Sequence, residues 1–170
     1  MPLLSPLRLA SAICAQYYHV ARWDNTTAPT SNGLSGDEVE SKPGQWKNTQ
    51  TAEMWIYKAG DNATGQALVF FPGGGYSSLS VGNGHKEAQW FARNGITAAV
   101  VKYRLPNGHS EVPRNDADEA LRVMRSLQFV KSLPQWDGKN LQANGGSQGG
   151  LQTVWAAALA SCNVVATETK

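Results

Sequence analysis

The sequence contains few charged residues, and they are spread along the chain. Charged residues make up 16% of its 170 residues, against about 25% in typical soluble domains. Hydrophobic residues make up 41%, so the low charge does not indicate a disordered chain. The net charge is only +2 and the lysines and arginines do not cluster, which argues against nucleic acid as the main partner.

Cysteine is also scarce, and long apolar runs are missing. Cys14 and Cys162 are the only cysteines, which provides neither a disulfide framework nor the spacing of a metal site. We therefore expect two ordinary small apolar residues. No apolar run reaches the roughly 18 residues that a membrane-spanning helix needs, so we expect no membrane span.

The length suits one domain, preceded by two segments of different character. Residues 1–15 are mostly apolar and contain a run of small residues, so they resemble a shortened secretion signal. We expect a periplasmic or secreted protein, with the cytoplasm as the alternative. Residues 16–50 are polar and rich in turn-forming residues, which predicts an irregular lead-in over the surface of a domain that covers residues 51–170.

Four short segments of this domain are predicted to be strands. Residues 53–57 (EMWIY) alternate weakly and suit an outer strand. Residues 67–71 (ALVFF) and 96–101 (ITAAVV) are continuously apolar, as buried parallel strands with helices on both faces require. Residues 141–144 also read as a strand, although they are more polar than a central strand usually is.

Helical patterns alternate with these strands. Residues 84–94 predict an amphipathic helix. After a polar loop (106–114), a second helix is predicted to begin near Asp116, with acids in its first turn, and to end before Pro134. The alternation predicts an α/β fold with a parallel sheet and right-handed crossovers.

The pattern G-x-S-x-G, formed by Gly145, Ser147 and Gly149, is typical of a nucleophilic serine. A serine between a strand and a helix presents its Oγ only if the backbone turns sharply, and the turn leaves no room for large side chains two residues away on either side. Residues 151–160 are rich in helix formers, so Ser147 would lie at a helix N-terminus, where free N–H groups favour negative charge. The pattern alone is also compatible with a plain glycine-rich turn.

A second glycine-rich stretch, PGGGY from Pro72 to Tyr76, directly follows the predicted strand 67–71. The N–H groups of Gly74 and Gly75 are unshielded by side chains and would bind an oxyanion together with the N–H of Gln148. A flexible connecting loop and a phosphate cradle are the alternatives. The cradle is disfavoured because no G-K-[ST] follows the glycines.

Three blocks of the sequence, residues 70–76, 100–126 and 145–150, resemble esterases of the α/β-hydrolase fold. The resemblance is greatest to bacterial carbohydrate esterases of the acetylxylan and feruloyl type, and it runs from about residue 31 to residue 160. It implies an α/β-hydrolase-like parallel-sheet sandwich, of which this chain covers the N-terminal part through the nucleophile helix.

The resemblance also implies roles for individual residues. Ser147 would be the catalytic nucleophile, and the N–H groups of Gly74, Gly75 and Gln148 would form the oxyanion hole. The family needs no cofactor, and its substrates imply a small-molecule or polysaccharide ester as the partner of this chain.

The sequence departs from the family at the other catalytic residues. The family places an acid and then a histidine after the serine, whereas no histidine follows Ser147 here. We therefore expect a chain truncated at its C-terminus. His85, His109 and Tyr76 are predicted at the rim of the site, with a general-base role open for either histidine.

Other functions remain open. A catalytically incomplete hydrolase, or a remnant that binds a ligand without catalysis, fits the missing acid and histidine. A serine peptidase of the same fold is a lesser alternative. Strand 141–145 is expected to have an unpaired edge, through which the chain would self-associate.

Overall fold

The computed structural model describes residues 17–134, 136 and 141–145. The predicted secretion signal, the residues Ser147, Gln148 and Gly149, and the helix predicted after them lie outside the described residues. The strands are β1 (Tyr17–Asp24), β2 (Val39–Lys42), β3 (Gln45–Lys47), β4 (Thr51–Tyr57), β5 (Ala67–Phe71), β6 (Leu79–Ser80), β7 (Thr97–Lys102) and β8 (Leu141–Gly145). The helices are α1 (Val81–Arg93), α2 (Glu111–Ser126) and α3 (Gln128–Lys131).

Five strands form one mixed sheet in the order β1-β4-β7-β5-β8. β5 is parallel to both of its neighbours, β7 and β8, whereas β4 runs antiparallel to its two neighbours, β1 and β7. The connections from β5 to β7 and from β7 to β8 lead in opposite directions across the sheet. Right-handed crossovers therefore place α1 and α2 on opposite faces. The predicted α/β architecture and the central position of 67–71 are confirmed, and every residue of β5 is buried.

The prediction of an irregular lead-in over residues 16–50 is wrong. β1 pairs with β4 along its length, so β4 is an interior strand and not the predicted outer one. β2 and β3 form a hairpin that pairs with β6 in a separate sheet of three strands. Sequence periodicity missed β1 because its pairing register shifts between His19 and Ala21, and such a bulge breaks the alternation of side chains.

The helices lie where they were predicted, but their boundaries differ. α1 begins three residues before the predicted helix 84–94, and the second predicted helix is divided, because the extended backbone of Leu127 separates α2 from α3. β7 and β8 match the strands predicted at 96–101 and 141–144. α2, however, begins at Glu111, within the segment predicted to be a loop. Pro113 is compatible with this start, because the first turn of a helix does not need its N–H group. Asp116 is consequently not in the first turn, and it is fully buried.

The hydrophobic core lies between the five-stranded sheet and the two long helices. Its members include the buried side chains of β4, β5 and β7 and the alanines of α1 and α2. Among the described residues, no helix combines the length and the apolar character that crossing a membrane requires.

Candidate active site

Two strand ends bring the glycine-rich loop next to the segment predicted to hold the nucleophile. β5 and β8 are parallel neighbours, and Phe71 at the end of β5 pairs with Gly145 at the end of β8. Pro72 begins the glycine-rich loop one residue after Phe71. Ser147 follows two residues after Gly145, outside the described residues, so its position in a sharp turn stays a prediction.

The first three carbonyl groups of the loop accept hydrogen bonds from the protein. The Tyr103 hydroxyl donates to the Pro72 carbonyl at 2.8 Å. The Ser80 N–H donates to the Gly73 carbonyl at 2.9 Å, and the Ser78 N–H donates to the Gly74 carbonyl at 3.1 Å. Three consecutive peptide units of the loop are therefore held in fixed orientations.

These contacts determine where the N–H groups of the loop point. In a trans peptide the N–H points opposite to the C=O of the same unit, and the described residues contain no cis peptide. The N–H groups of Gly74 and Gly75 therefore point away from Ser80 and Ser78, whose N–H groups bind the carbonyls of Gly73 and Gly74. Within the described part of the chain neither N–H has an acceptor. Such exposed donors at a strand end are suited to binding an oxyanion.

Gly74 is required by sterics. Its φ is +153°, and a Cβ placed there would lie 1.9 Å from the carbonyl oxygen of Ser78. Gly75 has a φ of +64°, and a Cβ there would meet no atom within 4 Å. Gly74 thus permits the backbone to pass close to Ser78, whereas Gly75 has a left-handed backbone conformation with open space around it.

Tyr76 also adopts a left-handed backbone conformation, with a φ of +60°. This conformation costs a residue with a side chain roughly 1–2 kcal/mol. Tyr76 is half-buried and packs against the hydrophobic core. Strained residues of this kind tend to occur at functional sites, and Tyr76 lies next to the glycines, as its predicted place at the rim requires.

His85 lies away from the predicted rim. Its Nδ1 is 2.8 Å from the Tyr57 hydroxyl, and its ring packs edge-on against Trp55. Both partners belong to β4, which β7 and β5 separate from β8. Three strand spacings amount to roughly 14 Å. The structure therefore corrects the rim assignment of His85 and leaves it unsuited to act as a base on a residue that follows β8.

Replacing His85 by glutamine should flatten the pH dependence of folding stability. Burial lowers the pKa of His85, so below the ordinary histidine pKa of about 6.5 the unfolded chain binds more protons than the folded protein. Its contribution to the free energy of unfolding is present above that pKa and is lost as the pH falls. Urea unfolding at about pH 7 and about pH 5 should show a smaller difference for His85→Gln than for the wild type, and an equal difference contradicts this account.

His109 belongs to the loop that follows the carboxyl end of β7. Because β7 and β5 are parallel, this loop and the glycine-rich loop begin at the same end of the sheet. His109 lies between β7 and α2, and its Nδ1 is 3.3 Å from the Glu111 carboxylate. Both side chains are about half exposed, at 51%. His109 lacks the contacts that hold His85 over β4, and its place at the rim of the site stays a prediction because Ser147 lies outside the described residues.

Sequence reasoning missed a buried ion pair beside the loops of the site. Arg104 and Asp116 are both fully buried, with Arg104 Nη2 2.6 Å from Asp116 Oδ1. The Arg104 N–H donates to Asp116 Oδ2 at 2.8 Å, and the Trp23 indole N–H donates to Oδ1 at 2.6 Å. The sequence contained a sign that this acid is buried, because Asp116 is four residues before Ala120 and therefore lies on the apolar stripe of α2.

A second ionic cluster holds the lead-in segment to the sheet. The Lys102 ammonium is 2.5 Å from the Glu38 carboxylate and 2.8 Å from that of Glu53. It also lies 4.6 Å from the ring centroid of Trp46, in β3. Lys102 is 2% exposed, so its ammonium has these partners in place of water.

The sequence is partly similar to a known esterase. Over 74 residues it is 41% identical to an acetylxylan esterase from Xylanibacter ruminicola, and the match covers 43% of this chain and 15% of that protein. The chain therefore spans well under two thirds of the curated relative that it matches. No protein-family model matches the sequence.

Solved structures of esterases share the fold over part of their length. The acetyl ester-xyloside bifunctional hydrolase from Caldicellulosiruptor lactoaceticus matches with a TM-score of 0.52 and 27% identity, over 60% of this chain and 36% of that one. The apo form of Thermogutta terrifontis esterase 2 is 26% identical over 74% of this chain and 46% of that one, with a TM-score of 0.49. The predicted resemblance to esterases of the α/β-hydrolase type is confirmed for the parts of the chain that the acetylxylan esterase and the Caldicellulosiruptor lactoaceticus hydrolase cover.

Proposed function

We propose that this chain carries the nucleophile and the oxyanion hole of a serine carboxylic ester hydrolase. The observation that carries the proposal is the pairing of Phe71 with Gly145, which starts the glycine-rich loop beside the predicted serine turn. The outward N–H groups of Gly74 and Gly75 support it. The similarity to an acetylxylan esterase suggests acetyl esters of small molecules or polysaccharide as substrates.

In the proposed reaction, Ser147 Oγ attacks the acyl carbonyl carbon while a base accepts its proton. The carbonyl oxygen becomes an oxyanion, which accepts hydrogen bonds from the N–H groups of Gly74, Gly75 and Gln148. Collapse of this intermediate breaks the ester bond, and the leaving alkoxide takes the proton as the alcohol departs. Water then attacks the acyl-serine and releases the carboxylic acid.

The proposal is tested by hydrolysis of 4-nitrophenyl acetate, with Ser147→Ala as the control. We expect an acetyl adduct on the wild-type chain by mass spectrometry, and its loss in Ser147→Ala. The loop of His109 begins at the same end of the sheet as the glycine-rich loop. His109→Gln therefore tests whether this histidine accepts the serine proton, and His85→Gln is its matched control. Equal background rates and no adduct on Ser147 contradict the proposal.

A second candidate is a catalytically incomplete hydrolase, which the position of His85 over β4 favours. A chain without a base near Ser147 would acylate slowly and would not deacylate. Acetyl-serine that accumulates without turnover therefore indicates this candidate, whereas steady turnover indicates a complete site. A serine peptidase of the same fold, export from the cytoplasm, and self-association through the edge of β8 stay predictions.

A further inference from the structure

The glycine-rich loop is anchored at its near end by one side chain from a neighbouring strand end. Tyr103 follows β7 directly and Pro72 follows β5 directly, and these two strands are paired in parallel. The Tyr103 hydroxyl reaches the Pro72 carbonyl at 2.8 Å, and both residues are buried. Tyr103 itself has no exposed surface.

The far end of the loop is held by different contacts. Ser80 pairs with Gln45 of β3, and the Gln45 side-chain amide lies 3.3 Å from the Ser78 hydroxyl. The turn between these ends is closed by its own backbone, through the carbonyls of Gly73 and Gly74. Among the described side chains, Tyr103 is therefore the one whose hydroxyl holds the Pro72–Gly73 peptide unit, at the start of the glycine-rich loop.

We propose that Tyr103 is a positioning residue for the oxyanion hole, a role that rests on the proposed function. Its hydroxyl holds the Pro72–Gly73 peptide unit in one orientation. The next two peptide units are fixed by the Ser80 and Ser78 N–H groups, so the Tyr103 contact fixes the place of the whole turn at the end of β5 and aims the Gly74 and Gly75 N–H groups before an ester binds. Preorganised donors of this kind stabilise a developing oxyanion without reorganisation during the reaction.

The protonation state of Tyr103 suits this role. Burial raises the pKa of Tyr103 above its ordinary value, and the neighbouring Tyr76 phenol raises it further. The hydroxyl therefore keeps its proton throughout the pH range of ester hydrolysis. A carbonyl oxygen only accepts hydrogen bonds, so Tyr103 is the donor at every such pH.

The chain offers a matched control that separates positioning from stability. Thr49 is also fully buried, and its hydroxyl donates to the backbone carbonyl of Tyr103 at 3.1 Å. Thr49→Val and Tyr103→Phe each remove one buried hydroxyl that donates to a backbone carbonyl, and Thr49→Val also removes an acceptor of the Leu105 N–H, so it perturbs stability at least as much. Only Tyr103→Phe changes the contact with the glycine-rich loop.

The experiment measures acylation of Ser147 by 4-nitrophenyl acetate together with amide hydrogen exchange by NMR. Tyr103→Phe should lower the acylation rate constant by roughly tenfold or more, since a misplacement of about 1 Å can lower a rate by about 100-fold. The apparent affinity for the ester should stay within about twofold, because the loop N–H groups act on the oxyanion. Exchange of the Ser80 amide, which donates to Gly73, should speed up by about tenfold through local opening.

Thr49→Val should change neither the acylation rate nor the exchange of the Ser80 amide. 4-Aminophenylalanine at position 103 keeps the ring and an N–H donor, so it should restore acylation, and this variant remains informative if Tyr103→Phe does not fold. Full acylation in Tyr103→Phe, an equal loss in Thr49→Val, or failure of the amino variant to restore acylation overturns the positioning role alone. Absence of Ser147-dependent acylation in the wild type overturns the proposed function and this role with it.

Discussion

Replacing Gly74 by alanine should lower Ser147-dependent ester cleavage by roughly 100-fold or more, the loss seen when one oxyanion donor is removed. A Cβ at position 74 would lie 1.9 Å from the Ser78 carbonyl oxygen, so the loop must open to accommodate it. The Ser78 N–H then loses the Gly74 carbonyl, and the following N–H group no longer has a fixed direction. The rate of 4-nitrophenyl acetate cleavage measures the effect.

Gly108→Ala is the matched control for this prediction. Gly108 has a φ of +88° with no atom within 4 Å of a built Cβ, so alanine there is strained without a clash. Gly75→Ala introduces similar strain inside the loop, again with open space around it. We expect the order of activity to be Gly108→Ala, then Gly75→Ala, then Gly74→Ala. Equal activity of Gly74→Ala and Gly108→Ala contradicts the proposed role of the loop.

Replacing Asp116 by asparagine should lower the free energy of unfolding by about 3–5 kcal/mol, because it leaves the Arg104 charge buried and uncompensated. The guanidinium has no exposed surface from which to regain water. Asparagine keeps the shape of aspartate but offers one acceptor oxygen, whereas Asp116 accepts from Arg104 and Trp23 with both oxygens. Urea unfolding followed by fluorescence measures the loss.

Asp118→Asn on the same helix is the control for Asp116→Asn. Asp118 is half-buried, and burial raises its pKa despite the opposing charge of Arg114. Its charged form is therefore not favoured by folding, and Asp118→Asn should leave stability unchanged or slightly higher. A similar loss in the two variants contradicts a specific role for the Arg104–Asp116 pair.

The ion pair also connects the segments that surround the site. Arg104 Nη1 donates to the Thr30 carbonyl and to the Asn25 side chain, both in the lead-in segment, while Asp116 belongs to α2. Loss of the pair should therefore loosen the lead-in segment and the loop after β7 together. Amide exchange in residues 25–32 of Asp116→Asn reports this directly.

Local sequence patterns were sufficient for the centre of the fold. The apolar run of β5 and the amphipathic pattern of α1 are properties of a few adjacent residues, and the structure contains both where they were predicted. The turn that follows β5 was predicted in the same way, from consecutive glycines after a buried strand, whereas its role as an oxyanion loop stays a prediction. The Ser147 turn, by contrast, stays a sequence prediction.

Patterns along the chain were thus enough to identify the buried strands, the helices between them and the types of residue at the strand ends. The pairing of β1 with β4, the distance of His85 from the rim and the anchoring of Pro72 by Tyr103 became visible only in the folded chain. The physical reason is that each of these depends on contacts between residues far apart in the chain, such as the 28 positions that separate Tyr57 from His85. Periodicity and turn chemistry describe neighbours along the chain, whereas such contacts form only when the sheet is assembled.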